Sequence, residues 1–150
     1  MTTIAYRDGV VAADSQETTL DGRITQCDKL FRVKDYIIAT AGDSYTGLIF
    51  LQWFKDGANR EYIPDLSMVD LSEDFECLVV SKDRIYTVNR FLQEYEINLR
   101  QNPFIALGWG SPYAIGAMEV SPKVTAKQAV QIACKFDCYS GGSVKTMKIR

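Results

Sequence analysis

Apolar positions in the first third of the chain come in short bursts broken by turn residues. "TTIAYR" and "GVVAAD" flank Asp8-Gly9, the strongest short hairpin signal in the sequence. "LDGR" marks another turn, and "KLFRV" and "YIIATAG" bracket Lys34-Asp35 as a second hairpin with its apolar face inward. "ECLVVSKDRIYTVN" predicts a third, "PFIALGWG" a buried strand running into glycines, and "GGSVKTMKI" an alternating strand. The lysines of that last strand suit a sheet edge. The period changes to helical in three places. "SYTGLIFLQWFK", Ser44 to Lys55, puts Leu48, Ile49, Leu51, Trp53 and Phe54 on one broad side, with Asp43 as N-cap and Gly57 as stop. "SPYAIGAMEV" has Pro112 suited to a first turn. "TAKQAVQIACKFDCYS" carries Thr125 as cap and a stripe of Ala129, Ile132, Ala133 and Phe136. The polar stretch 57–74, with Pro64, reads as loop with a short helical turn.

Strands in hairpins with helices grouped between them predict an α+β fold of antiparallel sheets, not βαβ units. Two packed sheets covered outside by helices would use every apolar face. Trp53 and Phe54 are adjacent and cannot both face one core, so one of them is expected at a subunit contact. No repeat, linker or low-complexity stretch divides residues 1–150, which reads as one domain.

The sequence is 47% hydrophobic and 24% charged, with a formal net charge of −2. That balance gives no electrostatic case for nucleic acid or an anionic membrane surface. No apolar run approaches the roughly 20 residues that span a bilayer, and no signal-peptide pattern opens the chain, so a cytoplasmic protein is expected. Cys27, Cys77, Cys134 and Cys138 show no disulfide framework and read as small hydrophobes in a reducing compartment. Cys134 and Cys138, four apart on an expected helix, could share a face, but a zinc site wants about four ligands and the chain has no histidine to supply the rest. No metal or cofactor is expected.

The absence of histidine removes Ser-His-Asp and Cys-His catalysis. Lysine titrates near 10.4 unless desolvated, whereas an α-amino group sits at about 7.7–8.0. A free N-terminus is therefore the unperturbed group suited to general-base work near neutrality. The chain opens "MTT", and small second residues such as Thr normally permit removal of the initiator Met. Thr2 would then carry hydroxyl nucleophile and amine base on neighbouring carbons. Asp14 and Lys29 stand at strand ends; a buried Lys–Asp pair beside Thr2 would favour the neutral amine and help ionise the hydroxyl. The commoner role of such residues is a plain hairpin-end ion pair.

"TTIAYRDGVVAADSQET" resembles the mature N-terminus of proteasome β subunits and of the bacterial peptidase HslV, which are N-terminal-nucleophile (Ntn) hydrolases. The likeness continues in order through "DKLFRV", "ATAGD", "ALGWGSPYA" and "DCYSGGSV". It implies a four-layer αββα sandwich, and 44–74 is too short for the family's two long consecutive helices, so one helical layer is expected to be shortened. It implies Thr2 as nucleophile, Lys29 as the catalytic lysine, Asp14 as the aspartate that orients it, and the Gly42 N–H as oxyanion donor. Asp137 and Ser140 match the family's "DxxSGG" element, which supports the threonine's amine. Thr18 would pair with a bound peptide, and Glu17, Cys27, Phe31, Thr40 and Ser44 fall near the primary pocket. At "GWGS" the chain departs from the family: Trp109 stands where a serine is expected. The resemblance implies a threonine-type endopeptidase acting on peptides or unfolded protein, a homo-oligomeric ring and, by analogy, an ATP-dependent unfoldase partner. An inactive structural relative and a small-molecule amidase on the same fold are the alternatives.

Overall fold

The computed structural model describes residues 2–66 and 75–150. Its elements run β1 (Thr3–Arg7), β2 (Val10–Ala13), β3 (Gln16–Thr18), β4 (Ile24–Gln26), β5 (Leu30–Val33), β6 (Tyr36–Ala41), α1 (Ser44–Lys55), β7 (Glu76–Val80), β8 (Ile85–Asn89), β9 (Glu94–Glu96), β10 (Phe104–Gly108), α2 (Ser111–Val120), α3 (Ala126–Phe136) and β11 (Lys145–Lys148). One antiparallel sheet has the order β10-β1-β2-β11 and the other β5-β6-β7-β8-β9, while β3 and β4 form a separate two-stranded ribbon. Asp8 and Gly9 both take positive φ, which gives the tight turn between β1 and β2 the twist that matches its strands.

Side-chain alternation along β1 sorts the layers. Ile4 and Tyr6 face inward with Val11 and meet Ile37, Ala39, Leu78 and Val80 of the second sheet. Ala5, with Ala12 and Ala106, faces the other way onto α2 and α3. On the far side, Ile38, Val79 and Val88 take Phe50 and Leu51 of α1. The order is thus helix, sheet, sheet, helix pair, the expected αββα sandwich, with α1 forming its helical layer alone among the described residues. The part of the expected 57–74 loop that spans 67–74 lies outside the described residues. None of these helices is long and apolar enough to cross a membrane.

Local signals explain the helix ends. Asp43 accepts the Thr46 N–H at 2.7 Å, and Thr125 and Gln128 form a reciprocal capping box at α3. Arg7 runs from β1 into the helical layer, where its guanidinium donates to the carbonyls of Met118, Ser121 and Val124 at the end of α2 and stacks on Phe104. A cation is favourable at that helix end because the unsatisfied carbonyls carry partial negative charge.

Two stripe assignments are corrected. Leu48 is exposed and Phe50 fills the core beneath α1, while Phe136 is exposed and stacks on Tyr113. Both misassigned residues lie at the margin of their helical face, where packing against the sheet decides and periodicity does not. Trp53 and Phe54 both join the α1 cluster: Phe54 meets Tyr36 edge-on at 5.2 Å, and Trp53 tilts against Phe50 at 5.8 Å. β9 was not expected; its three residues are exposed and carry two glutamates, so no apolar pattern announces it.

Candidate active site

Antiparallel register brings the ends of four strands to one place. Thr3 lies opposite Gly108 and Ile4 opposite Ala13, while Ala41 pairs with Glu76 and Glu76 with Asn89 at the matching end of the second sheet. Thr2 precedes β1, Asp14 follows β2, Lys29 precedes β5 and Gly42 follows β6. All four therefore converge at one end of the inter-sheet space.

Asp14 is the node. Its buried carboxylate accepts the Thr3 N–H and the Lys29 Nζ on Oδ1, each at 2.9 Å, and the Gly141 and Gln16 N–H groups on Oδ2 at 3.0 and 3.3 Å. A carboxylate has about four lone-pair sites, and here all are used. Lys29 Nζ also donates to the Gln16 carbonyl at 2.6 Å. Both partners of the pair are withdrawn from water, with side-chain exposures of 6% and 0%. This ion pair is not the solvated hairpin-end contact that strand-end charges commonly make. Removing either partner of such a pair leaves a buried charge uncompensated.

Thr3, which the sequence reading did not single out, is held from a second direction. The Ser140 hydroxyl donates to Asp137 Oδ2 at 2.5 Å, and the Thr3 and Ser140 hydroxyl oxygens are 2.6 Å apart. Asp137 is an acceptor, so the Ser140 proton points to it and the Thr3 hydroxyl donates to Ser140. Asp137 and Ser140 thus join the site through Thr3, the residue after the candidate nucleophile. The glycines around Trp109 make this fit: a Cβ on Gly108 would lie 1.9 Å from the Thr2 carbonyl oxygen, and one on Gly110 1.9 Å from the Thr3 hydroxyl. The glycine pair in "GWG" was the available signal for this close approach.

Two cavities meet at Thr2 and Gly42. The smaller, about 280 Å³, is lined by Cys27, Phe31, Thr40 and Ser44, together with Lys29 and Leu48. Four of the five expected primary-pocket residues therefore line one cavity beside Thr2. Glu17 stands one contact away, accepting the Ser44 hydroxyl, and Thr18 lies in β3, its hydroxyl accepting from the Gln16 side chain at 3.2 Å. β3 pairs with β4 on one side only among the described residues. Burial pushes the Cys27 thiol up, and Glu17 and Asp14 push the same way against the opposing pull of Lys29. Cys27 is thus kept as the thiol and offers no thiolate to compete with a hydroxyl nucleophile. The larger cavity, about 710 Å³, opens on the other side of Thr2, with Trp109 in its wall.

No protein-family model matches the chain. In sequence it is similar to proteasome subunit beta 1 of Pyrobaculum neutrophilum, 28% identical over an alignment covering 88% of this chain and 77% of that one. In fold it is similar to Thiobacillus denitrificans BPH in complex with epoxomicin, with a TM-score of 0.70 and 23% identity, covering 99% of this chain and 98% of that one. It is also similar to HslV from Trypanosoma brucei, with a TM-score of 0.66 and 16% identity over 98% of both chains. The resemblance to proteasome β subunits and HslV is borne out, and the αββα sandwich is that of proteasome-like Ntn hydrolases.

Proposed function

We propose that this chain is a threonine-type endopeptidase of the proteasome and HslV class, with Thr2 as its N-terminal nucleophile once Met1 is removed. The observation that carries the reading is the convergence of Thr2 with a fully hydrogen-bonded, buried Asp14–Lys29 pair, in a chain that has no histidine. In this reading the Thr2 hydroxyl attacks a peptide carbonyl while its proton passes to the Thr2 amine, the base that titrates closest to neutrality. The Lys29 cation lowers the energy of the developing alkoxide and keeps the neighbouring amine neutral. The Gly42 N–H receives the oxyanion, a contribution of about 3 kcal/mol where such donors have been removed. Collapse breaks the C–N bond, the protonated amine gives its proton to the departing peptide, and the acyl group remains as an ester on Thr2. Water then enters by the same route in reverse.

An extended peptide substrate fits the free edge of β3 at Thr18 by strand addition, with its side chain in the cavity lined by Cys27, Phe31, Thr40 and Ser44. Assembly into a homo-oligomeric ring and delivery of unfolded protein by an ATP-dependent unfoldase follow by analogy with the class. Intact mass is expected to show Met1 absent, and Thr2→Ala to abolish peptide hydrolysis without moving the thermal midpoint. A Thr2→Ala protein that still cleaves peptides at the wild-type rate would overturn the reading.

A further inference from the structure

The larger cavity has no role in the scheme above, and its chemistry differs from that of its neighbour. Thr2 and Gly42 line both, so they sit where the two meet. A carbonyl attacked at Thr2 with its oxygen toward Gly42 carries two further substituents, the acyl chain and the amine. These leave the reacting carbon in different directions. If the acyl side chain takes the smaller cavity, the amine side of the scissile bond faces the larger one.

That cavity is bounded by aromatic rings from both sheets. Trp109 follows β10 in one sheet and Tyr95 lies in β9 of the other, while the buried Phe75 lines the same cavity. Trp109 and Tyr95 are 61% and 59% exposed, so both rings are open to a group entering the cleft beside the candidate nucleophile. The indole is backed by Tyr139, ring centre to ring centre 6.1 Å, and fixed between Gly108 and Gly110, which β1 presses against. It is therefore positioned in advance, at little ordering cost on binding. Among the described residues lining the cavity, Glu76 alone carries a charge, and it is negative.

We infer that this cavity is a subsite for an aromatic residue on the leaving-group side of the scissile bond, with Trp109 as its specificity-determining wall. The inference rests on the peptidase reading and deepens it. A planar apolar group entering the slot would cover Trp109 and Tyr95 together, gaining both area burial and ring–ring contact. An acidic residue would meet Glu76.

Acyl transfer to added amines tests this directly. In the forward step an amino-acid amide attacks the Thr2 ester: the new C–N bond forms, the ester C–O bond breaks, and the amine's proton returns to the threonine oxygen. With one peptide ester as acyl donor, the ratio of aminolysis to hydrolysis is measured for phenylalanine, tryptophan, glycine and glutamate amides. Wild type is expected to favour the aromatic amides over glycine amide by about tenfold, the size of one good ring contact plus partial burial, with glutamate amide poorest. Trp109→Ser, at an exposed position, is expected to bring phenylalanine and glycine amides within about twofold of each other. Parity in the wild type, or an aromatic preference that survives in both Trp109→Ser and Tyr95→Ser, would overturn the inference while leaving the peptidase intact. Absence of any acyl transfer, to water or to amines, would overturn the peptidase reading and this subsite with it.

Discussion

The two helical layers hold the sandwich in opposite ways. Behind the sheet that carries Thr2 and Thr3, the contact with α2 and α3 is made mostly of small side chains, Ala5, Ala12 and Ala106 against Ala114, Ala126, Ala129 and Ala133, with Met118 and Val130 as its larger members. Behind the other sheet, α1 packs with rings, Phe50 lying 5.5 Å from Phe75 and 5.8 Å from Trp53, with Phe54 against Tyr36. Alanine lets helix and strand backbones approach closely and leaves few rotamers, so the position of the strand is set by hard contact. Rings contribute more buried area but fix the sheet less directly. The small-residue side is the one whose displacement would reach the strand that carries Thr2 and Thr3, since a Cβ on Gly110 would lie 3.2 Å from Ala133 Cβ and 1.9 Å from the Thr3 hydroxyl. By contrast, α1 reaches the site through the pocket wall at Ser44 and Leu48. The position of the Thr2 strand and the bulk of the ring-packed burial are thus assigned to different layers.

Substitutions can separate the two. The largest effect is expected where the site itself is structural: Asp14→Ala takes the counter-charge from the buried Lys29 ammonium and the acceptor from the Thr3 and Gly141 N–H groups, costing about 3–5 kcal/mol and all peptidase activity. Chemical denaturation and a peptide-hydrolysis assay would record both losses together. Phe50→Ala in the ring-packed layer is expected to cost about 3–5 kcal/mol as well, from lost burial and the cavity left behind. Below its lowered midpoint it should retain kcat near wild type, and a proportional loss of kcat would break the division between layers. Ala133→Leu is expected to destabilise by only about 1–3 kcal/mol through overpacking, yet to depress kcat more than Phe50→Ala does, because the strain is delivered to Gly110 and Thr3. Smallest is Thr3→Val, which removes the donor to Ser140 while Ser140 keeps its bond to Asp137, at a cost of about 1 kcal/mol, with Thr3→Ser restoring both stability and kcat.

Much of this organisation was legible from the order of apolar and polar residues. Asp8-Gly9, Lys34-Asp35 and Lys82-Asp83 punctuate alternating runs, and Asp43, Pro112 and Thr125 announce helices that begin where they stand. Periodicity failed at Leu48 and Phe136, each at the edge of a face whose extent only the partner sheet defines. β9 failed for a different reason, as an edge strand with nothing to bury. Asp14 and Lys29 were expected as partners from their unlike charges at strand ends and from the resemblance, although β3 and β4 intervene and β2 and β5 lie in different sheets. The Thr3–Ser140–Asp137 chain was not, because it joins residues 137 positions apart and depends on two glycines that carry no side-chain chemistry of their own. The place of Trp109 in a cavity wall was likewise visible only once β9 brought Tyr95 to the same cavity.

The central claim is that the acyl group of a cleaved peptide passes through Thr2. Acid quenching during turnover of a peptide ester, followed by proteolytic mapping, locates the acyl adduct by mass. The account predicts a single adduct on the peptide that begins at Thr2, absent from Thr2→Ala. An adduct on any other residue, or an N-terminal peptide that still begins with Met1 in an enzyme that turns over, would contradict it.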